Sequence, residues 1–193
     1  MITKAYKFCT ILGLTLLAGG CAFTPHEVSL TATAPNYSTD IGKGATVGLR
    51  FIDDRDTKTV GQRGAGMVGS DISASNLVLH VENQVTGILR SNGFKVVDYN
   101  DANEAKVTVS LRTFKFFIET GFWTGAKNVD VSLKADARNG GRDFLNNYAY
   151  NQEERVLVIP DGSGIDSMMN TALTDVLTKL SVDKELMKFL AGK

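Results

Sequence analysis

Lys106-Val107-Thr108-Val109-Ser110-Leu111-Arg112-Thr113-Phe114-Lys115-Phe116-Phe117-Ile118-Glu119 is the stretch on which the fold turns. Val107, Val109 and Leu111 alternate with Thr108, Ser110 and Arg112, the period-two signature of a strand with one apolar and one wet face. The apolar parity then moves to Phe114, Phe116 and Ile118, which requires either a bulge or a change in which face is covered. A second run from Asn128 to Arg138 sets Val129, Val131, Leu133, Ala135 and Ala137 against Asp130, Ser132, Lys134, Asp136 and Arg138. Asn139-Gly140-Gly141-Arg142 follows as a hairpin turn, since Asn and Gly tolerate the positive φ angles that a two-residue connection needs. Asp143–Tyr150, with Arg155–Val158 as a further piece, completes an expected meander.

Working outward, Ala45–Asp53 reads as a strand with Val47, Leu49 and Phe51 on one face, ended by Asp53-Asp54-Arg55-Asp56. Gly61, Gly64, Gly66 and Gly69 then mark an irregular stretch. Leu77, Val81, Val85, Ile88 and Leu89 recur at spacings of three and four, so a helix is expected over 73–92, stopped by Asn92-Gly93. Phe94–Tyr99 makes a short strand. Ile165, Met168, Met169, Ala172, Leu173, Val176, Leu177 and Leu180 make a second amphipathic helix, and Asp183 caps a short last one. The expected class is α+β, a mostly antiparallel sheet with two main helices packed on one face plus a short C-terminal helix.

The chain has 193 residues, 43% of them hydrophobic, enough for a single core. Its 21 basic side chains are balanced by 21 acidic ones, without the basic surplus of a nucleic-acid binder. Two Cys and two His leave little material for a zinc or haem site, and no cofactor is expected.

The N-terminus is an address. Lys4 and Lys7 precede an uncharged stretch, Phe8–Gly20, rich in leucine, too short to span a hydrocarbon core of about 30 Å but the right size for a signal peptide. Leu17-Ala18-Gly19-Gly20-Cys21 resembles a bacterial lipobox. That resemblance implies cleavage before Cys21, whose sulfur receives the lipid, and Ala22 implies sorting to the outer membrane. Residues 1–20 are then the signal peptide, 21–44 the acylated Cys and a flexible tether, and 45–193 one periplasmic domain. Cys9 leaves with the signal, so the mature chain has no disulfide and no free thiol.

Few residues suggest chemistry. Asp53, Asp54 and Asp56 resemble an acidic cation site only superficially, because Arg55 sits among them and no EF-hand spacing follows; a turn with Arg55 paired to a neighbouring Asp is expected. The 61–66 run lacks the Lys-Ser/Thr of a phosphate loop. His80 borders the first helix's apolar stripe with no triad partner at a recognisable spacing. Phe122-Trp123, in a connection between strands, is an aromatic pair costly to expose without a contact. The partner-contact candidates are therefore Phe122, Trp123, Arg63, Asp54 and Arg55. No catalytic and no metal-binding residue is assigned.

Thr46-Val47-Gly48-Leu49 running into Asp54-Arg55, Leu89-Arg90-Ser91-Asn92-Gly93-Phe94, the 130–135 strand, Asn139-Gly140 and Leu173-Thr174-Asp175-Val176-Leu177 together resemble the YajG-type family of bacterial outer-membrane lipoproteins. The resemblance implies an envelope lipoprotein, transfers no catalytic residue, and departs at the aromatic-rich 106–128 region. The expected function is a non-enzymatic outer-membrane lipoprotein whose periplasmic domain binds or scaffolds another envelope protein, as in a secretion or motility complex. The alternative is an auxiliary lipoprotein of a lipid-transport system, holding an acyl chain or a transport partner between helix and sheet.

Overall fold

The computed structural model describes residues 24–35, 37–63, 69–120, 125–156 and 161–193. In chain order the elements are β1 (His26–Glu27), β2 (Thr46–Asp53), β3 (Gly61–Arg63), β4 (Ser70–Ser73), α1 (Leu77–Ser91), β5 (Lys95–Asp98) and β6 (Ala105–Thr120). There follow β7 (Gly125–Asn139), β8 (Arg142–Val156), α2 (Gly162–Ser181) and α3 (Lys184–Leu190). The eight strands form one sheet, and the three helices lie against it: α1 on β2 and β5, α2 and α3 on β7 and β8.

Strand β6 organises the sheet. One edge pairs with β7 from end to end; the other pairs with β2 over Lys106–Leu111 and with β3 at Phe116. The register shifts between Leu111 and Thr113. This bulge is the physical meaning of the parity change in the sequence. It leaves Val107, Val109, Leu111, Phe114 and Phe116 all at 1% exposure or less. The core closes on them with Val47, Leu133, Leu173 and Leu177, none of which is exposed.

The α+β class stands, but the sheet is mixed rather than mostly antiparallel. Four of the seven strand pairings among the described residues are parallel: β1–β4, β2–β5, β2–β6 and β3–β6. Only β3–β4 and the β6–β7–β8 meander run antiparallel. The reason is that β4 and then α1 carry the chain back from the end where β2 finishes to the end where it starts, which makes β5 parallel to β2. Apolar alternation reports faces, not directions.

Three local expectations also change. The glycine-rich stretch contributes strands β3 and β4, since Gly61 lets β3 approach β6: a Cβ there would lie 1.7 Å from the Phe116 carbonyl oxygen. Ile72, fully buried in β4, is thereby used in the sheet, and α1 starts at Leu77 rather than Ser73. The last strand is also one piece, Arg142–Val156.

From His26 onward the expected flexible tether is instead fastened to the domain. Val28 and Ala32 are 4% and 2% exposed. The Asn170 Oδ1 of α2 accepts the backbone N–H groups of Thr31 (2.7 Å) and Ala32 (2.8 Å), while its Nδ2 donates to the Ser29 carbonyl (2.7 Å). His80 Nε2 donates to the Ala32 carbonyl at 2.7 Å, and Gln84 accepts from Ala34 N–H at 3.1 Å. Farther on, Gly42 N–H and Gly44 N–H donate to the carbonyls of Asn92 and Gly93, wrapping the end of α1. A composition of Thr, Asn and Pro satisfied the strap's backbone through partners distant in sequence.

Asn170→Ala should therefore release the 26–34 strap. We expect a loss of about 2 kcal/mol, from several hydrogen bonds of ~1 kcal/mol each, read by urea unfolding. Proteolytic cleavage between residues 24 and 35 should appear under native conditions; a strap that stays resistant in this variant would show that Asn170 does not hold it.

Candidate functional site

The sequence-predicted acidic turn closes on itself. Arg55 donates through Nε to Asp53 Oδ1 (2.8 Å) and through Nη2 to Oδ2 (3.0 Å). Lys58 Nζ reaches the same Oδ2 and the Asp53 carbonyl, each at 3.0 Å. These contacts, the Arg55 hydrogen bonds first, hold the Asp53 carboxyl down at about 2. Arg55 is 8% exposed, with its two prongs already occupied. Asp54 instead pairs with Arg112, the residue at the β6 bulge, and both side chains stay about half exposed. The turn thus fastens the end of β2 to β6. Of the two contact candidates here, Asp54 lies at the surface and Arg55 does not.

A second polar knot fixes the helices to the sheet. Asp183, at the α2–α3 corner, accepts from the Tyr148 hydroxyl (2.7 Å) and Asn146 Nδ2 (2.8 Å), and caps α3 through the N–H groups of Glu185 and Leu186. Burial and the Asp183 carboxylate push the Tyr148 hydroxyl far above the ordinary phenol range. At Asp183 burial works upward, but the hydrogen bonds from Tyr148, Leu186, Asn146 and Glu185 win and lower its carboxyl. The sequence placed Asp183 as a cap; its bonds to β8 required the fold.

The face of the sheet turned away from the helices is wet. The Arg50 guanidinium lies 3.8 Å from the centre of the Tyr99 ring, with the Lys106 ammonium 5.6 Å from it. Among the described residues Arg50 has no carboxylate partner, whereas Lys106 reaches Asp101 at 3.6 Å and Arg138 reaches Asp143 at 2.7 Å. Tyr99, Lys106, Thr108, Asp136 and Arg138 line a cleft of about 240 Å³. Sequence reading missed this group, because Arg50 and Tyr99 are brought together only by the β2–β5 pairing. Toward the other end Asp130 is half-buried, and that burial raises its carboxyl above the usual range.

The outer edge of β8 is bonded to no strand among the described residues. Its middle is guarded: Lys179 Nζ donates to the Ala149 carbonyl (2.7 Å), and Asn146 Oδ1 accepts from Asn147 N–H (2.9 Å). Since those backbone groups point away from β7, so do the groups of the other odd-numbered residues, given the two-residue period of a strand. Asn151, Gln152, Glu153, Glu154 and Arg155 are all exposed, and no such guard among the described residues covers them. A cleft of about 550 Å³ beside the guarded part is lined by Asn146, Asn147, Tyr148, Lys179, Val182 and Asp183.

The remaining sequence-predicted residues are placed as follows. Cys21, Phe122 and Trp123 lie outside the described residues, and Arg63 ends β3 with its side chain also outside them. His80 is satisfied by Ala32 and His26 by Asp166, at 2.7 Å each. No group of three or more metal-ligating side chains occurs among the described residues.

A mixed eight-stranded sheet, backed by helices on one side and open on the other, defines an α+β domain with a wet face and a free edge. The chain belongs to a bacterial family of lipoproteins: the family model described as "Uncharacterized lipoprotein" matches residues 32–191. The likeness read in the sequence holds at that level. No helix among the described residues is long and apolar enough to cross a membrane. Comparison with curated proteins gives no match. Among solved structures, a Xanthomonas campestris protein of the DUF330 family is similar at 14% identity and TM-score 0.52, covering 82% of this chain and 92% of its own. A neuraminyllactose-binding hemagglutinin homologue from Helicobacter pylori is similar at 10% identity and TM-score 0.46, covering 86% and 97%. The rare lipoprotein B from Shewanella oneidensis follows at 12% identity and TM-score 0.37, covering 70% and 93%. The first of these shows a shared fold, and no function is carried over from any of them.

The Asp53 clamp has a pH signature. A carboxyl depressed in the folded state contributes stability that is complete above its unfolded value near 3.8 and lost as pH falls through about 2. After allowance for solvent screening we expect on the order of 1 kcal/mol to disappear across that window. Asp53→Asn should remove this step from the acid-unfolding curve and lower stability at neutral pH; an unchanged acid limb would show that the clamp is not the titrating group.

Proposed function

We propose that the protein is a non-catalytic lipoprotein of the outer membrane, anchored through an acylated Cys21, whose periplasmic domain binds another envelope protein along the free end of β8. The observation that carries this reading is the exposed Asn151–Arg155 edge, whose outward backbone groups are offered at a spacing that an incoming strand matches. Lys179 and Asn146 guard the centre of the same strand, in keeping with selection against indiscriminate sheet extension and for a short, specific contact. The wet face beside it, with Arg50 stacked on Tyr99, supplies further polar contact. Asp54, at the surface with Arg112, flanks the wet face from the end of β2.

Two observations weigh against the other readings. Asp53, Arg55, His26, Tyr148 and Asp183 are engaged in bonds that hold elements together, which leaves them poorly placed as acids, bases or nucleophiles. The helix–sheet interface is filled by Leu111, Phe114, Leu133, Leu173 and Leu177, each without exposed surface, where an acyl chain would need a groove. A subunit of an envelope-spanning complex is the form of scaffold that fits best.

The edge contact is tested in living cells with a photo-crosslinking amino acid at Asn151. A discrete adduct is expected, and Glu153→Pro should abolish it by removing one outward N–H. Proline is tolerated on edge strands, so global stability should change by less than about 1 kcal/mol. An adduct of undiminished yield in the proline variant would show that the partner does not add to this edge.

A further inference from the structure

The two side chains that cover the middle of the outer β8 edge are held in different ways. Lys179 Nζ donates to the Ala149 carbonyl at 2.7 Å and reaches the Asp175 carboxylate, one turn earlier on α2, at 2.6 Å. Asn146 Oδ1 accepts from Asn147 N–H at 2.9 Å, while Asn146 Nδ2 donates to Asp183 at 2.8 Å. The backbone groups they engage lie in the plane of the sheet and point away from β7. The ammonium therefore stands where an incoming strand would place an N–H, and the amide oxygen where it would place a carbonyl. The space beside them is open: both residues wall the cleft of about 550 Å³, and the exposed Val182 of the α2–α3 corner lies in it.

The covers differ in what they lose by moving. Lys179 is long, exposed and doubly partnered. Withdrawn from the Ala149 carbonyl, its ammonium still rests on Asp175, so no charge is stranded. Asn146 is short and its amide is fixed at both ends. Turning its oxygen away from Asn147 would also take Nδ2 from Asp183, at the corner that ties α2 and α3 to β8. Lys179 is thus a removable cover and Asn146 a fixed one.

We infer that Lys179 is a gate on the β8 edge: a partner strand paired with 151–155 displaces it from the Ala149 carbonyl and extends to residue 149, where Asn146 stops it. The inference rests on the edge reading above and adds the length, end point and chemistry of the strand that fits. Residues 149, 151, 153 and 155 then all offer outward backbone groups, and the paired segment covers 149–155 rather than 151–155. Directly opposite residues share a face of the sheet. On the helix side, the leading end of the partner strand enters the cleft beside Tyr148 and Val182, which calls for an apolar side chain there. On the wet face it passes the exposed Glu153, opposite which a basic side chain is complementary. Glu154 is already paired with Lys127 at 2.9 Å. The occupant is therefore an extended segment of the partner, apolar at its leading end and basic behind it.

The test moves the photo-crosslinking amino acid from Asn151 to Val182 in the full-length protein in living cells. An adduct of the same mass as that from position 151 is expected, and Glu153→Pro should remove both. Lys179→Met keeps the apolar stem without the donor and leaves the Ala149 carbonyl open. The yield at Val182 should then rise roughly fivefold, the effect of one hydrogen bond that docking no longer has to break. Lys179→Arg, which retains a donor, should stay near the unmodified level. Urea midpoints of the variants are measured alongside. An adduct at Asn151 with none at Val182, in the unmodified protein and in Lys179→Met alike, overturns the gate while the edge reading stands. A lower yield at Val182 in Lys179→Met, at an unchanged urea midpoint, overturns it as well, because Lys179 would then be a contact and not a cover. Failure to form an adduct at either position removes the edge reading and this inference with it.

Discussion

The bulge at Arg112 is the constraint on which the molecule depends. A sixteen-residue strand of unbroken alternation would have sent Phe114 and Phe116 to the face opposite Val107, Val109 and Leu111. One extra residue keeps both sets beneath the helices, where each is buried to 1% exposure or less. The same irregularity divides the edge of β6 between two partners, β2 before it and β3 after it. Arg112 itself pairs with Asp54 just as β2 ends. A packing requirement, a change of strand partner and a surface ion pair thus meet at one position.

Around that frame, polar side chains act chiefly as fasteners between segments far apart in sequence. Asn170 holds the strap across about 140 residues of chain, Asp183 ties the α2–α3 corner to β8, and Asn92 joins the end of α1 to the Ser181 carbonyl of α2. Each fastener is short and amide- or carboxylate-bearing, and each satisfies backbone groups that would otherwise be left without partners in a half-buried place. Residues committed in this way have little freedom for chemistry. Opportunity for function moves outward, to an edge strand and a wet face.

Some of this was readable in advance. The strand alternation at 106–118, the α1 and α2 stripes, the hairpin at Asn139-Gly140-Gly141-Arg142 and the Asp183 cap are local patterns, and local patterns survive into the fold. The pairing of Arg55 with a neighbouring Asp was likewise foreseeable from a turn too tight to let them separate. Gly61 signalled a loop only because its purpose, an approach to the Phe116 carbonyl, involves a strand more than fifty residues away. The Arg50–Tyr99 stack and the Lys179 guard carried no signal in sequence, since each pair meets through strand registers or helix docking that no spacing encodes.

The sequence by itself determined the type and place of the long elements and which side of each long strand is apolar, because those follow from side-chain chemistry at fixed local periods. Only the tertiary structure decided strand direction, the use of 61–73 as sheet rather than loop, and the fastening of residues 26–44 to the domain. These depend on which backbone groups find partners, and a polar strap reads the same whether water or Asn170 satisfies it. The choice between a free spacer and a short leash was made by hydrogen bonds between residues 29–32 and α2.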